Sequence, residues 1–152
     1  MTARPTPVED LLKLVDACNR CSVAFRAADK HLSDLRFRAF YDRLQRTLDQ
    51  FIFELEKESS RIGTHQPDPL SMPAISTANT GSLLTYAEGE LQSALEGYDA
   101  CLIRPMPAHA RAMVQRQRLS LCQLQADLDE ISSAVPLQSS RHREYCSRRP
   151  RR

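Results

Sequence analysis

The stretch TPVEDLLKLVDACNRCSVAF, residues 6–25, decides the fold. Val8, Leu11, Val15, Cys18, Ser22 and Phe25 follow one another by alternating steps of three and four. That spacing draws one stripe along an α-helix; a strand would alternate every second residue. The stripe reaches Leu32 after a missed beat near residue 29. Thr6-Pro7-Val8-Glu9 supplies the start. Thr6 can accept from the N–H of Glu9, the Glu9 carboxylate can reach back, and proline suits a first helical turn. Glu9–Lys13 and Asp16–Arg20 stand as acid-first pairs on the wet side. The pattern predicts a helix over 7–31.

Proline lays out the rest. The nine prolines fall at 5, 7, 67, 69, 73, 105, 107, 136 and 150, leaving 8–66, 74–104 and 108–135 free for helices. Ser33-Asp34 offers a break and a new cap. A second helix over 34–62 carries Phe37, Tyr41, Leu44, Leu48, Phe51, Leu55 and Ile62, with Glu58 on one apolar beat. Gly63 is the residue type that most often closes a helix in left-handed conformation. A third helix over 82–103 reads Leu84, Ala87, Leu91, Ala94, Tyr98 and Leu102. A fourth over 107–134 reads Ala110, Met113, Val114, Gln117, Leu121, Leu124, Leu128 and Ile131. Four rods with one apolar stripe each predict an all-α four-helix bundle over 1–135. Short joints force the first pair and the last pair to be antiparallel neighbours. The connection over 63–81 is long enough to travel the height of the bundle, so two helical hairpins joined by one crossover, the ferritin-like arrangement, are expected. A long loop in an ordinary up-down bundle is the alternative.

Composition narrows the class further. The chain has 152 residues, 41% hydrophobic and 26% charged, as in ordinary globular proteins. No apolar run approaches the roughly 18 residues of a membrane span, and residues 1–10 lack the apolar core of a signal peptide. A cytoplasmic location is expected, with the five cysteines reduced. The net charge of +2 is uneven: residues 141–152 hold six arginines and one glutamate, while the first 140 carry 15 basic and 18 acidic side chains. Residues 136–152 read as a disordered basic tail.

The order of several short motifs resembles a small bacterial ferritin-like family, domain of unknown function 2383. In the first helix these are Leu14-Val15-Asp16-Ala17-Cys18, Phe25-Arg26 and Ala27-Ala28. Phe40 or Tyr41, Phe51, Glu54-Leu55 and Gly63 follow in the second. The third supplies Glu88, Ala94-Leu95 and Tyr98, and the fourth Met106-Pro107 and Arg116-Gln117. The resemblance implies a ferritin-like four-helix bundle without an established activity. The chain departs from it at Ser22 and Val23, where relatives tend to be acidic, at Thr47 in place of a glutamate, and at Gln125 in place of a histidine.

Chemistry is sparse. A carboxylate-bridged di-iron centre needs four carboxylates and two histidines, with Glu-x-x-His on two helices. Three residues before His31, His65, His109 and His142 stand Ala28, Ile62, Met106 and Ser139, so the motif is absent. Glu54 and Glu88 are the remaining inward candidates for a metal, with Asp127 as a helix-borne partner; pairing with arginines at the bundle flank is the competing reading. Cys18-Asn19-Arg20-Cys21 is a C-x-x-C inside a helix rather than at its start, so buried small hydrophobes are expected. Cys122 could approach the first helix, Cys101 lies near a helix end, and Cys146 in the tail is the expected accessible thiol. Ser22 and Gln117 on apolar stripes could set register by hydrogen bonding. No nucleophile elbow or phosphate-cradling glycine loop occurs.

No catalytic residue and no cofactor are therefore expected, and the chain reads as a non-catalytic structural or protein-interaction module with a degenerate metal site. The alternatives are a residual carboxylate metal-binding protein and a polyanion binder. The latter would work through Arg141, Arg143, Arg148, Arg149, Arg151 and Arg152, with weak contact to nucleic acid or an anionic surface. Phe40, Ile52 and Phe53 widen the apolar face of the second helix and suggest a homodimer there.

Overall fold

A computed structural model describes residues 6–63 and 80–134. Four helices account for nearly all of them: α1 (Pro7–Asp29), α2 (Leu35–Ile62), α3 (Thr80–Ile103) and α4 (Ala108–Ala134). No strand occurs among the described residues. Thr6 caps α1 through a full capping box, its Oγ1 accepting from the Glu9 N–H and the Glu9 carboxylate accepting from the Thr6 N–H, both at 3.2 Å. Glu9 is thereby committed to the cap, while Asp16 and Arg20 pair at 2.8 Å. α1 stops at Asp29, two residues short of the expected end. Asp34 caps α2 by accepting from the Arg36 N–H at 2.9 Å. Arg111 closes α3 by donating to the carbonyls of Leu102 and Arg104 at 2.5 and 2.8 Å.

Gly63 behaves differently from the expectation. It follows α2 in extended backbone (φ −167°, ψ 165°), and no described residue has positive φ. The reason for glycine there is tertiary: a Cβ would lie 3.3 Å from Val8 Cγ2. α2 ends against the first turn of α1, where a side chain would crowd that valine.

The stripes form one core. Leu11, Val15, Cys18, Phe25, Phe37, Leu44, Leu48, Leu55, Leu91, Tyr98, Leu121 and Leu128 are all buried in it. Near the α1–α2 turn Phe25, Phe37 and Phe40 cluster, with ring centroids 5.8 to 6.3 Å apart. Such aromatic pairs add about 0.5–1.5 kcal/mol each beyond area burial. Phe40, not Tyr41, is the buried partner; Tyr41 is half-buried under Arg38.

Contacts fix the helix order and directions. α1 packs on α2 and α3, and α4 packs on α3 and α2, leaving α2 diagonal to α3 and α1 diagonal to α4. Asp29–Arg38 and Ser22–Gln45 set α1 antiparallel to α2. Asp10–Arg104 and Cys18–Tyr98 do the same for α1 and α3. Glu58–His109 and Arg43–Asp127 align α2 against α4, and Tyr98–Gln117 and Gln92–Gln125 align α3 against α4. Both α2 and α3 oppose α1, so they run parallel to each other. α2 closes at the end where α1 begins, and α3 begins at the other end. No described helix is long and apolar enough to cross a membrane.

Candidate functional site

Nearer the end where α1 begins and α3 closes, the four stripes leave polar side chains facing one another. Cys18 on α1, Tyr98 on α3 and Gln117 on α4 are wholly buried, and Glu54 on α2 lies at the edge. Tyr98 Oη donates to Gln117 Oε1 at 2.6 Å. Gln117 Nε2 donates to Glu54 Oε1 at 3.0 Å, and Arg116 Nη2 donates to Glu54 Oε2 at 3.0 Å. The tyrosine has one proton and gives it to Gln117, so the Cys18 thiol is the donor across the 3.6 Å to Tyr98 Oη. One chain of donors and acceptors crosses the bundle, uses every helix and ends on a solvent-facing guanidinium. A second bridge sits one turn away: Ser22 Oγ donates to Gln45 Oε1 at 2.7 Å, and Gln45 Nε2 returns a bond to the Ser22 carbonyl at 3.1 Å. Ser22 and Gln117, both polar residues on apolar stripes, thus bond across helix interfaces.

Electrostatics follow from this burial. Burial pushes the Cys18 thiol up to about 11, against the hydrogen bond to Tyr98. Tyr98 is raised by burial and by the neighbouring Cys18. Cys21 is raised by burial, with Cys18 adding to it. For Glu54, burial pushes the carboxyl up, but hydrogen bonds from Gln117 and Arg116 with the Arg116 charge outweigh it and hold it below the usual range. Both C-x-x-C thiols are therefore protonated and enclosed, which makes them poor nucleophiles and poor metal ligands.

The carboxylates named as metal candidates are not brought together. Glu54 is bonded at the level of Gln117, while Glu88 faces Asp129, whose charge adds to burial in raising it. Twelve residues of α4 separate those two levels, roughly 18 Å. Asp127 is taken by Arg43 at 2.9 Å and by Gln123 at 2.9 Å. His31 lies at the α1 exit and His109 in the first turn of α4; His65 and His142 lie outside the described residues. No cluster of three or more His, Cys, Asp or Glu that could hold a metal occurs among the described residues. A di-iron pair needs several free carboxylates and imidazoles around one point. The centre here offers a protonated thiol, a phenol, an amide and a carboxylate already claimed by an arginine. That donor set does not fit the group.

Two other expectations change. Cys122 lies on α4, which packs on α2 and α3 rather than on α1; its charged neighbour is Arg118, which pairs with Asp99 of α3. Phe40 is 1% exposed inside the aromatic cluster and Ile52 is half-buried against the core, so of the expected helix-2 face only Phe53 stands outward. Gln125 donates to Gln92 on α3 at 2.8 Å. The six tail arginines and Cys146 lie outside the described residues.

The structure adds a groove between α2 and α4. Phe53, Glu54, Lys57, Glu58, Arg61, His109, Ala112, Met113 and Arg116, with Gln50, enclose about 820 Å³. Glu58 Oε1 accepts from Arg61 at 2.5 Å and sits 3.2 Å from His109 Nδ1. The Arg61 bond, opposed by burial and helped by His109, holds Glu58 below its usual range. The sequence carried one signal of this: a glutamate on an apolar beat, three residues before an arginine. A comparison with protein-family models finds no match, and a comparison with curated proteins finds none either.

Proposed function

We propose that this chain is a non-catalytic helical bundle of the ferritin-like type, a structural or protein-interaction module whose metal site has degenerated. The observation that carries the reading is the bonded chain Cys18–Tyr98–Gln117–Glu54–Arg116. It crosses the bundle interior with groups that satisfy one another. An arginine neutralises the one carboxylate in it, where a metal centre would need that charge for a cation. The two-hairpin, one-crossover arrangement is part of the proposal. Its support is the parallel, diagonal placement of α2 and α3, whose facing ends lie at opposite ends of the bundle. The small bacterial family named above, acting in the cytoplasm, remains the proposed kinship.

Elemental analysis tests the reading. Protein produced in medium supplemented with iron and manganese and purified without chelator should hold far less than one metal per chain. It should oxidise added Fe(II) no faster than buffer. Stoichiometric iron or manganese, lost in Glu54→Gln, would overturn the proposal and restore a metal-binding protein.

A further inference from the structure

We propose that the α2–α4 groove binds a small amphiphilic anion, a carboxylate, sulfonate or phosphate carried on an apolar body. The inference goes beyond the bundle's central chemistry and stands whether or not the centre takes a metal. The volume of about 820 Å³ lies within the usual range of small-molecule sites. Its apolar part is Phe53, 61% exposed, with Ala112 and Met113 opposite on α4.

Its polar part presents donors. The two carboxylates are retracted and used: Glu58 is 5% exposed and accepts from Arg61 twice, with His109 beside it. Glu54 is 20% exposed and accepts from Arg116, Gln117 and Gln50. The cations stand outward, Arg61 and Arg116 each 58% exposed. Among the described residues Arg61 Nη1, Arg116 Nη1 and Lys57 Nζ have no acceptor. Guanidinium and ammonium groups can only donate, so what they lack is an anion. The first turn of α4 borders the groove through His109, and Pro107 before it supplies no capping side chain for the free N–H groups of that turn. An apolar wall beside unfilled donors selects a ligand with both characters.

The test uses the full chain and the dye 8-anilinonaphthalene-1-sulfonate, followed by fluorescence titration. One saturable site per chain is expected. Lys57→Glu and Phe53→Ala, both at solvent-facing positions, should each weaken it about tenfold. Ala112→Trp, which fills the groove, should abolish it. Leu119→Ala, an exposed apolar residue outside the lining, should leave it unchanged. Circular dichroism should show all four variants folded. N-phenyl-1-naphthylamine, the same rings without the anion, should bind at least tenfold more weakly. Absence of saturable binding overturns the proposal, whether the groove is empty or is filled by residues 64–79 or the tail. So does binding indifferent to the Lys57, Phe53 and Ala112 variants, or equal affinity for the neutral rings. Displacement of the dye by polyglutamate but not by decanoate would assign the groove to an acidic protein partner and overturn the small-ligand assignment.

Discussion

Replacing Tyr98 by Phe removes one oxygen from the bundle's centre and changes nothing else about the packed ring. The Gln117 Oε1 that accepted from it at 2.6 Å is then buried with no donor, because Gln117 is wholly enclosed. A buried polar atom left unpaired costs about 1–3 kcal/mol. Gln117→Leu makes the complementary loss. It strands Tyr98 Oη against a thiol, a weak partner, and takes one of three donors from Glu54. Its cost should also be about 1–3 kcal/mol. The double variant Tyr98→Phe/Gln117→Leu removes both partners at once and puts similar apolar volume in their place. It should lose less than the sum of the singles, with a coupling of about 1–2 kcal/mol. With a urea slope of about 2 kcal/mol/M, a 2 kcal/mol loss moves the midpoint down by about 1 M. Urea unfolding followed by circular dichroism on all four proteins closes the cycle. A Tyr98→Phe midpoint indistinguishable from the parent, or strictly additive losses, would show that the polar chain does not exist in solution.

Further outcomes follow from other parts of the molecule. Cys18 and Cys21 should resist a thiol reagent at pH 8 in the folded chain and react on denaturation, since both are enclosed and raised, Cys18 to about 11; prompt labelling of either would contradict their placement. Glu54 is held below its unfolded value, so its contribution is present above the unfolded pKa and lost as pH falls through the folded one. Glu54→Gln should therefore destabilise near pH 7 and matter progressively less in acid, a trend that unfolding at a series of pH values would reveal or deny. Glu88 is raised by burial and by Asp129, so the sign reverses: its contribution is full below the unfolded pKa and lost as pH rises through the folded one. Glu88→Gln should raise the melting temperature at pH 7 and lose that advantage in acid; a drop at pH 7 would refute the assignment. Gly89→Ala meets no atom within 4 Å and should stabilise α3 by about 1 kcal/mol, read as a higher melting temperature.

The rods were legible because each has a stripe with steps of three and four, and because Thr6, Asp34 and the prolines punctuate them. What stayed hidden depends on how the rods rotate against one another. Phe40 and Tyr41 are adjacent, and which one turns inward is decided by Phe25 on another helix. The crowding that favours glycine at 63 comes from Val8, 55 positions away. That Cys122 stands on the helix diagonal to α1 is something no single stripe encodes. Ser22 and Gln117 were recognisable as misfits on apolar stripes, but their partners Gln45, Tyr98 and Glu54 follow only from the assembled bundle. The groove was the least visible feature. Its residues Lys57, Arg61, His109 and Arg116 look like ordinary wet-side charges until α2 and α4 lie side by side.

Iron addition read in the visible spectrum reports on what occupies the bundle interior. Tyr98 and Cys18 belong to the same polar chain as Glu54, so an iron held there would meet a phenol and a thiol, and a phenolate or thiolate on ferric iron absorbs strongly in the visible. Aerobic addition of one to two equivalents of Fe(II) should produce no such band, in the parent or in Tyr98→Phe. A saturating band at one or two irons per chain, abolished by Tyr98→Phe or Glu54→Gln, would contradict the proposed function.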